Sequence, residues 1–521
     1  MTGPEQVKNV VSRGTFRLCP DAGRAITVLF VPGEEMYGGD SRAPSVVERI
    51  LAMDDADVTA TLADVTRRFA HRHRDLEATW SDNFRLATQR LARVGDVPLE
   101  RALLIGAYFT REVSLEGAAL FNPSMVAHPD QSGLGPGEIR YVMSLRAVGE
   151  GHISSIEFRT GTVDASGAVR PDGPGKFPEC GRYSPGPYSR ELFHAKLAER
   201  GCDNQAAAQV LDRLEATFGP AELESALEAL HPDLLSRATV REAIVGIHWV
   251  AANNYTVEFP PRTQIAERVL WPQGPAELAG MEDARFVRFV DDDGTVTYFA
   301  TYTAFDQVLI APQLLKTTDF ATFDVAQLSG PYATNKGMAL FPRKVGGRYT
   351  ALSRWDRENL AVTTSDDLSE WGEATTLELD PRPWELVQVG NCGSPVETPE
   401  GWIVFTHGVG PMRTYGIGAI LLDLEDPGRV IGSLPYPLLE PNEEEREGYV
   451  PNVVYSCGAL VHGETLVLPY GFSDSAVGFA RVDIAELLNA LTASVGVAAP
   501  LEQVSRPGPG QAVAVQQGRY R

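Results

Sequence analysis

Two adjacent carboxylic residues and an arginine, Glu282, Asp283 and Arg285, lie together in the segment 280–286 (GMEDARF). The apolar run 287–290, an Asp-Asp-Asp-Gly turn and the alternating run 295–302 follow, and this pattern predicts a β-hairpin. Carboxylates at the mouth of a strand can point into a cleft and exchange protons with a substrate. The alternative is a turn in which the aspartate caps the backbone and the arginine pairs with the glutamate.

Length and charge limit what the chain can be. With 521 residues the chain is too long for one ordinary core and indicates two or three domains, or one large repeat architecture. The net charge of −23 disfavours nucleic acid and anionic lipid as partners, because both bind basic surfaces. A binding site for an anion must therefore be a local cluster of basic side chains.

Three sequence features bear on the compartment. The sequence contains no apolar run of about 18 residues, so no membrane span is expected. The N-terminus lacks the basic segment and apolar core of a secretory signal. The five cysteines are scattered and form no CxxC pair, which argues against a zinc site and for reduced thiols. We therefore expect a cytoplasmic protein without a bound metal.

Helical and strand-rich stretches alternate along the chain. A strand is predicted at 25–31, and apolar residues at helical spacing predict helices within 45–112. Strand-like runs begin near residue 117, and a second helical stretch interrupts them at about 189–245. A short helix is predicted at 484–491. The Pro-, Gly- and Gln-rich tail 499–521 is expected to be disordered.

Pairs of strands recur in the strand-rich part. Three such pairs are 348–354 with 360–365, 401–407 with 416–422, and 465–470 with 478–482. Their spacing of roughly 50 to 70 residues is typical of propeller blades with four short strands each. A β-sandwich is the alternative, but the number of strands is high for one sandwich.

Nine short motifs occur in a fixed order between about residues 117 and 485. They are 121–124 (FNPS), 280–285 (GMEDAR), 335–342 (NKGMALFP), 352–354 (LSR), 406–409 (THGV), 415–419 (YGIGA), 422–427 (LDLEDP), 450–455 (VPNVVY) and 470–474 (YGFSD). In this series the chain resembles glycoside hydrolase family 130, the β-mannoside phosphorylases and related β-mannosidases. One motif alone would be weak, but nine in order are specific. The two helical stretches lie outside the resemblance.

The resemblance implies an all-β fold, a five-bladed β-propeller. We expect an N-terminal, mostly helical extension over 1–112 and a catalytic propeller domain over 113–498, with the helical insertion at about 189–245. The active site is expected at one end of the central axis, where loops from different blades meet.

The resemblance also implies an inverting reaction on a β-mannoside. The family's proton donor corresponds to Asp283, while Glu282 and Arg285 hold sugar hydroxyls or orient Asp283. The positions that match the mannose-binding subsite are Asn122, Ser124, Arg146 and Asp474. For Asn122 and Asp474, capping of a turn is the alternative role.

Phosphorolysis requires a cluster of basic groups, because phosphate carries nearly two charges and must compete with bulk water. Arg354 matches a phosphate-binding arginine of the family, and His407 and Tyr415 also match directly. Lys336 stands where an arginine is common in the family. It keeps the positive charge but lacks the guanidinium group with which an arginine can form two parallel hydrogen bonds to phosphate. Arg413 is added because it lies close to Tyr415 in the sequence.

Glu397 is a departure from the family pattern. The segment 393–398 (GSPVET) matches a place where phosphorylases of this family tend to carry lysine. A carboxylate there would repel phosphate at short range. It could instead serve as the base that activates water in an inverting hydrolase. Pairing with Lys336 or Arg354, or exposure to solvent, is the remaining alternative.

The sequence therefore predicts an inverting β-mannoside phosphorylase that forms α-mannose 1-phosphate, with phosphate as co-substrate and no cofactor. A β-mannosidase with Glu397 as base, a furanosidase of family 43 or 32 type, and a non-catalytic carbohydrate-binding propeller are the alternatives. His71 and His73 lie on a helical, arginine-flanked stretch and are read as a solvated face, not as metal ligands. The sequence leaves open whether the protein forms a homo-oligomer.

Overall fold

The computed structural model describes residues 10–33, 41–89, 96–230 and 237–493. Strands are the most frequent regular element among these residues and pair mostly antiparallel, and all α-helices but the last gather in the two stretches where the sequence predicted them. The predicted tail 499–521 lies outside the described residues. None of the described helices is long and apolar enough to cross a membrane.

The N-terminal part combines helices with three short strands. The sheet elements are β1 (Val11–Arg13), β2 (Ala25–Leu29) and β3 (Thr110–Ser114); the helices are α1 (Ala43–Leu51), α2 (Asp55–Phe69), α3 (Leu76–Gln89) and α4 (Leu99–Tyr108). Strands β2 and β3 pair with each other. Their pairing corrects the prediction at one point, because the helical stretch ends at Tyr108 and its last residues form a strand.

Two groups of antiparallel strands share one twelve-stranded sheet. The first contains β4 (Ala119–Ala127), β5 (Ile139–Val148), β6 (Ser154–Val163) and β7 (Val169–Pro171). The same sheet includes β8 (Glu179–Cys180), β9 (Arg182–Pro185), β12 (Tyr255–Glu258) and β13 (Arg268–Leu270), whereas β10 (Tyr188–Ser189) and β11 (Thr217–Phe218) pair as a separate two-stranded sheet. The second group contains β14 (Gly280–Val290), β15 (Val296–Phe305), β16 (Ile310–Thr317) and β17 (Thr322–Gln327). Strands β6 and β14 pair at Ser154 and Gly280, so a single backbone pair between these strands links the two groups into one sheet.

The helical insertion has a hydrophobic core of its own. Its helices are α5 (Arg190–Glu199), α6 (Gln205–Leu211), α7 (Pro220–Glu228) and α8 (Ala238–Ala252). Ser189 caps α5 and Asn204 caps α6 through their side-chain oxygens, which satisfies backbone N–H groups in the first turns. The insertion therefore begins where it was predicted and extends beyond the predicted end, to Ala252.

Three smaller sheets complete the strand-rich part. The first contains β18 (Ala339–Leu340), β19 (Tyr349–Ser353), β20 (Ala361–Ser365) and β21 (Glu373–Thr376). The second contains β22 (Gln388–Asn391), β23 (Val396–Thr398), β24 (Gly401–Val409), β25 (Tyr415–Leu422) and β26 (Val430–Ser433). The third contains β27 (Val454–Tyr455), β28 (Leu460–His462), β29 (Thr465–Phe472) and β30 (Ala476–Asp483), and β1 pairs with its outer strand β30. Helix α9 (Ile484–Ala493) follows.

Strand β24 shows how neighbouring sheets are held together. Trp402 and Val404 point to one side and pack with Leu352 and Val362 of the preceding sheet. Ile403 and Phe405 point to the other side, into an apolar layer shared with β29 and β30. Because side chains alternate along a strand, a strand buried on both faces joins two neighbours.

The predicted hairpin is confirmed, with one difference. Strands β14 and β15 pair antiparallel around the turn at residues 291–295. Glu282 and Asp283, expected just before the strand, lie inside β14, which begins at Gly280. The three predicted strand pairs correspond to β19 and β20, β24 and β25, and β29 and β30, and the short helix corresponds to α9.

Candidate active site

Two β-bulges turn Asp283 and Asn122 toward each other. Asp283 lies where the register of β14 shifts between Glu282 and Arg285, and Asn122 lies where β4 shifts between Phe121 and Ser124. Both have positive φ, 55° for Asp283 and 50° for Asn122. A bulge re-aims a side chain out of the strand's alternation. The Asn122 amide Nδ2 consequently donates to Asp283 Oδ1 at 2.7 Å.

Arg146 on β5 connects both carboxylates of the Glu-Asp pair. Its Nη2 donates to Glu282 Oε1 at 2.8 Å and its Nη1 to Asp283 Oδ1 at 3.3 Å, while Nε donates to Ser154 Oγ at 2.9 Å. The Lys336 ammonium donates to Glu282 Oε2 at 2.5 Å. Glu282 is therefore held between two cations, and one oxygen of Asp283 is fixed by two donors.

The two aspartates of the site have opposite electrostatic environments. Burial favours a higher pKa for Asp283, but Arg146, Arg285 and Lys336 outweigh it and the pKa is lowered. Burial, and next the negative charge of Asp283, raise the pKa of Asp474 to about 6. Asp474 therefore lies within electrostatic reach of Asp283, as expected for two groups of one site.

A chain of contacts leads from the Asp283 segment to the expected phosphate-binding residues. Arg285 Nη1 donates to the Asp283 carbonyl at 3.2 Å, and its Nη2 donates to the Tyr455 hydroxyl at 2.8 Å. The Tyr455 and His407 rings lie 4.8 Å apart between centroids. His407 Nε2 lies 3.3 Å from Arg354 Nη1.

His407 is held as a neutral imidazole. Burial, followed by the charges of Arg354 and Arg285, lowers its pKa well below the ordinary value. Its Nε2 faces two donors, Arg354 Nη1 and the Gln388 amide at 3.2 Å, and its Nδ1 faces the Asn391 carbonyl at 3.3 Å. These partners assign the proton to Nδ1 and leave Nε2 as an acceptor that orients the Arg354 guanidinium.

Arg285 and Arg354 are buried guanidinium groups without a carboxylate partner. In the described part of the chain neither forms an ion pair, and the Nε of each is buried without a hydrogen bond. Burial lowers the pKa of Arg354, and the charge of Arg285 contributes to this. Buried cations are usually paired, so two unpaired ones side by side indicate a site for an anion. This is the local basic cluster that the net charge of −23 made necessary.

Tyr415 and Arg413 border this cluster from the hairpin between β24 and β25. The Tyr415 ring is nearly parallel to that of His407, with centroids 6.2 Å apart and planes 13° apart. The Arg413 guanidinium lies 5.4 Å from the Tyr415 ring centroid, and its charge acts on Asp474. Both residues therefore join the site, Arg413 at its exposed rim.

Ser124 has a different role from the other predicted sugar-binding residues. It is fully buried, and its Oγ accepts a hydrogen bond from the backbone N–H of Phe286 at 3.0 Å. It also forms a bridge to Gly458. Ser124 therefore connects the two strand groups of the twelve-stranded sheet with the segment between β27 and β28, behind the bulges.

Glu397 does not reach the cluster, which corrects the idea that it acts there as a base. It pairs with Trp402 in the register of β23 and β24, whereas His407 lies five residues farther along β24. At about 3.3 Å per residue this is roughly 16 Å. Its carboxylate binds Arg343, with Arg343 Nη2 donating to Oε1 at 2.6 Å, and not Lys336 or Arg354.

Three residues of the site were not singled out from the sequence: Tyr455, Gln388 and Asn391. Tyr455 ends the motif at 450–455, so a signal was present. Gln388 and Asn391 carry no motif and are recognised only because β22 pairs with β24 and brings them to His407. The close approach of this strand requires Gly390, where a Cβ would lie 2.4 Å from His407 Cε1.

The comparisons with known proteins agree on one group of enzymes. A family model described as beta-1,4-mannooligosaccharide phosphorylase matches residues 250–493. A 1,2-beta-oligomannan phosphorylase of Thermoanaerobacter sp. (strain X514) is 36% identical over 218 residues, 40% of this chain and 71% of the relative. A beta-1,2-mannobiose phosphorylase of Listeria innocua serovar 6a is 32% identical over 230 residues, 43% of this chain and 63% of the relative.

Solved structures are also similar to this chain. A beta-1,2-mannobiose phosphorylase from Listeria innocua, in complex with beta-1,2-mannobiose, aligns with a TM-score of 0.43 and 22% identity. The alignment covers 73% of this chain and 93% of that chain.

Proposed function

Since the chain belongs to glycoside hydrolase family 130, we propose that it is an inverting β-mannoside phosphorylase. It transfers a mannosyl unit from a β-mannoside oligosaccharide to inorganic phosphate and forms α-mannose 1-phosphate. The observation that carries the proposal is the pair of buried guanidinium groups without an ion-pair partner within the described residues, that of Arg285 next to Asp283 and that of Arg354 next to His407. A hydrolase has no need for such a site, because water carries no charge.

The residues have separate parts in the proposed reaction. Phosphate binds among Arg285, Arg354, Lys336, Tyr415 and Arg413, with His407 orienting Arg354 and Tyr455 orienting Arg285. The mannosyl unit binds beside Asn122, Arg146 and Asp474. A phosphate oxygen attacks the anomeric carbon while the bond to the leaving oxygen breaks on the opposite face. Asp283 gives its proton to the leaving oxygen, directly or through a sugar hydroxyl.

The lowered pKa of Asp283 fits this sequence of events. Three cations, Arg146, Arg285 and Lys336, hold the carboxyl of Asp283 ionised. A phosphate bound beside Arg285 and Lys336 adds negative charge, which offsets these two cations and raises the pKa of Asp283. The carboxyl therefore gains its proton when phosphate is present, which couples proton donation to the correct acceptor.

We also propose that the strand-rich part is a propeller with five blades. The twelve-stranded sheet supplies two antiparallel groups and the smaller sheets supply three. Apolar layers lie between successive groups, and a further layer joins β4 and β5 to β29 and β30, which closes the ring. The first strands of the groups carry Asn122, Asp283, Asn391 and Tyr455, which fits a site on the central axis.

Product analysis tests the function. Mannobioses of β-1,2, β-1,3 and β-1,4 linkage are incubated with and without inorganic phosphate, and the products are separated. We expect α-mannose 1-phosphate from one of them, and only with phosphate. Free mannose formed equally without phosphate would identify a hydrolase and contradict the proposal.

Two arginine variants sharpen the same test. Arg354→Ala should abolish phosphate-dependent turnover, because it removes a buried guanidinium from the phosphate site. Arg343→Ala should retain phosphate-dependent turnover. Arg343 binds Glu397, which lies at the opposite end of β24 from His407. Glu397→Gln should also retain activity, whereas a loss would restore Glu397 as a candidate base.

A further inference from the structure

We propose that His152 and Tyr449 form one wall of the mannosyl pocket, and that the N-terminal part of the chain holds this wall in place. The proposal rests on the proposed function and assigns a role to two residues outside the family motifs. The two residues together form the His152–Tyr449 bridge.

The bridge joins two sheets across the mouth of the site. His152 lies in the turn between β5 and β6, and Tyr449 lies before β27. The Tyr449 hydroxyl is 3.2 Å from His152 Nδ1, and the two rings are stacked with centroids 6.3 Å apart and planes 25° apart. His152 has a φ of 58°, so the turn adopts an uncommon conformation that presents this ring. Both side chains remain exposed, Tyr449 by 54%.

Each end of the bridge is attached to a residue of the mannosyl pocket. His152 is two residues from Ser154, whose Oγ accepts a hydrogen bond from Arg146. Tyr449 is attached to the turn that carries Asp474, because its backbone N–H donates to Ser475 Oγ at 2.9 Å. Gly448 permits this approach, since a Cβ there would lie 2.7 Å from Ser473 Cβ. The bridge therefore lies beside Arg146 and Asp474, at the opening of the pocket.

The N-terminal part of the chain supports the His152 turn directly. Strand β3 ends at Ser114, and a Cβ at Gly149 would lie 1.7 Å from the Ser114 carbonyl, so the two backbones touch. Arg111 of β3 forms an ion pair with Glu150 at 2.5 Å. This part is in turn anchored to the first sheet, because buried Arg24 pairs with Glu157 of β6 at 2.6 Å.

The chemistry of the bridge suits a sugar. Aromatic rings with a polar edge offer an apolar face to the C–H groups of a pyranose and a hydroxyl to its oxygens. The bridge makes little contribution to a hydrophobic core, because both rings are exposed. Its position and orientation are set by backbone contacts on both sides, which is what a binding surface requires.

Steady-state kinetics test the bridge. In Tyr449→Ala and His152→Ala we expect the KM for the mannoside to rise about five- to tenfold, with the KM for phosphate within about twofold of the parent. Tyr108→Ala is the control, because Tyr108 is 48% exposed at the end of α4, before β3, and belongs to neither proposed substrate pocket. An unchanged mannoside KM in both variants, or equal rises of both KM values, would overturn the proposal.

A third variant tests whether the N-terminal part of the chain supports the His152 turn. Gly149→Ala forces the turn away from Ser114 and should reproduce the rise in mannoside KM without changing any group that touches the sugar. Unchanged kinetics in Gly149→Ala would exclude the bracing role. Calorimetric titration with the mannobioses separates this inference from the proposed function. If the parent binds mannobiose without phosphorolysis, the function is wrong, and weaker binding by Tyr449→Ala still supports the wall.

Discussion

Asp283 and Asp474 illustrate how a few neighbouring charges separate two chemically identical groups. Three cations lower the pKa of Asp283, while burial and Asp283 itself raise that of Asp474. Pairs of acids whose surroundings move their pKa values apart are a recurring feature of sites that transfer protons. Arg146 lowers the pKa of both acids, so the higher value of Asp474 comes from its burial and from the negative charge of Asp283.

Replacing Asp283 by asparagine tests its role as the proton donor. Asp283→Asn keeps the shape of the side chain and removes its exchangeable carboxyl proton, so kcat should fall by about 10²–10⁴-fold. Binding of mannobiose, followed by calorimetry, should persist. Asp291→Asn, at the other end of the same strand, serves as the control and should leave kcat unchanged. Turnover near the parent rate in Asp283→Asn would transfer the role to another acid.

Asp474 gives a prediction about pH and stability. Its folded pKa is about 6, above the ordinary value of 3.8, so the native state loses stability as the pH rises between these values. Asn cannot ionise, so Asp474→Asn should match the parent near pH 4 and exceed its unfolding free energy by about 1–2 kcal/mol above pH 7. Urea denaturation at both pH values measures this.

Exposed Asp380→Asn is the matched control for this experiment and should show no such dependence on pH. A parent protein as stable as Asp474→Asn above pH 7 would mean that Asp474 is ionised without cost. Asp474→Asn is also expected to weaken mannoside binding, so the stability of this variant would rise while its activity falls.

At the scale of elements, the site depends on close approaches between the first strands of the sheets. Gly393, between β22 and β23, has a φ of 110°, and a Cβ there would lie 2.2 Å from the Cys457 carbonyl. This contact sets the separation between the strands that carry Asn391 and Tyr455. A shift there would move His407 and Arg354 relative to Arg285.

Gly393→Ala should therefore destabilise the protein by more than about 2 kcal/mol, because backbone strain and a backbone clash add. Gly346→Ala is the matched control: its φ is 59° but nothing lies within 4 Å of the added Cβ, so only about 1 kcal/mol is expected. The midpoints of urea denaturation of Gly393→Ala and Gly346→Ala, compared with that of the parent, measure the two losses of stability. Equal losses would show that the contact at Cys457 relaxes freely.

The sequence predicted elements better than their exact relation to the site. The hairpin of β14 and β15 and helix α9 follow from alternation, turn residues and helical spacing, so they were recognisable. The placement of Asp283 inside the strand was not, because a bulge is defined by its partner strand. Glu397 was misplaced for a similar reason: its partner, Arg343, lies 54 residues away and carries no signal. Gln388 and Asn391 likewise enter the site only through strand pairing.

At the scale of the whole molecule, an acidic protein contains a cationic pocket. The net charge is −23, yet the cations Arg285, Arg354 and Lys336 lie in one candidate site. Lys336 is paired with Glu282, whereas Arg285 and Arg354 form no ion pair within the described residues, and the charge of Arg285 lowers the pKa of Arg354. A bound phosphate would offset this repulsion, so phosphate should stabilise the folded protein.

Thermal denaturation with phosphate measures this. Inorganic phosphate at about 100 times its Kd should stabilise the parent by about 2.7 kcal/mol and raise its Tm. The shift should be largely lost in Arg354→Ala and retained in Arg343→Ala. Sodium chloride at equal ionic strength controls for screening. Equal shifts in parent and Arg354→Ala would place phosphate elsewhere.

The pairing of β1 with β30 has a consequence for synthesis. Val11 pairs in register with Val482, so the partner of this residue lies about 470 positions downstream in the chain. At about 5–20 residues per second, a ribosome needs roughly half a minute to a minute and a half to produce it. During that time β1 has no partner strand, and the sheet that it shares with β27, β29 and β30 cannot form. The pairing of β1 with β30 should therefore be a late, long-range step in folding during biosynthesis.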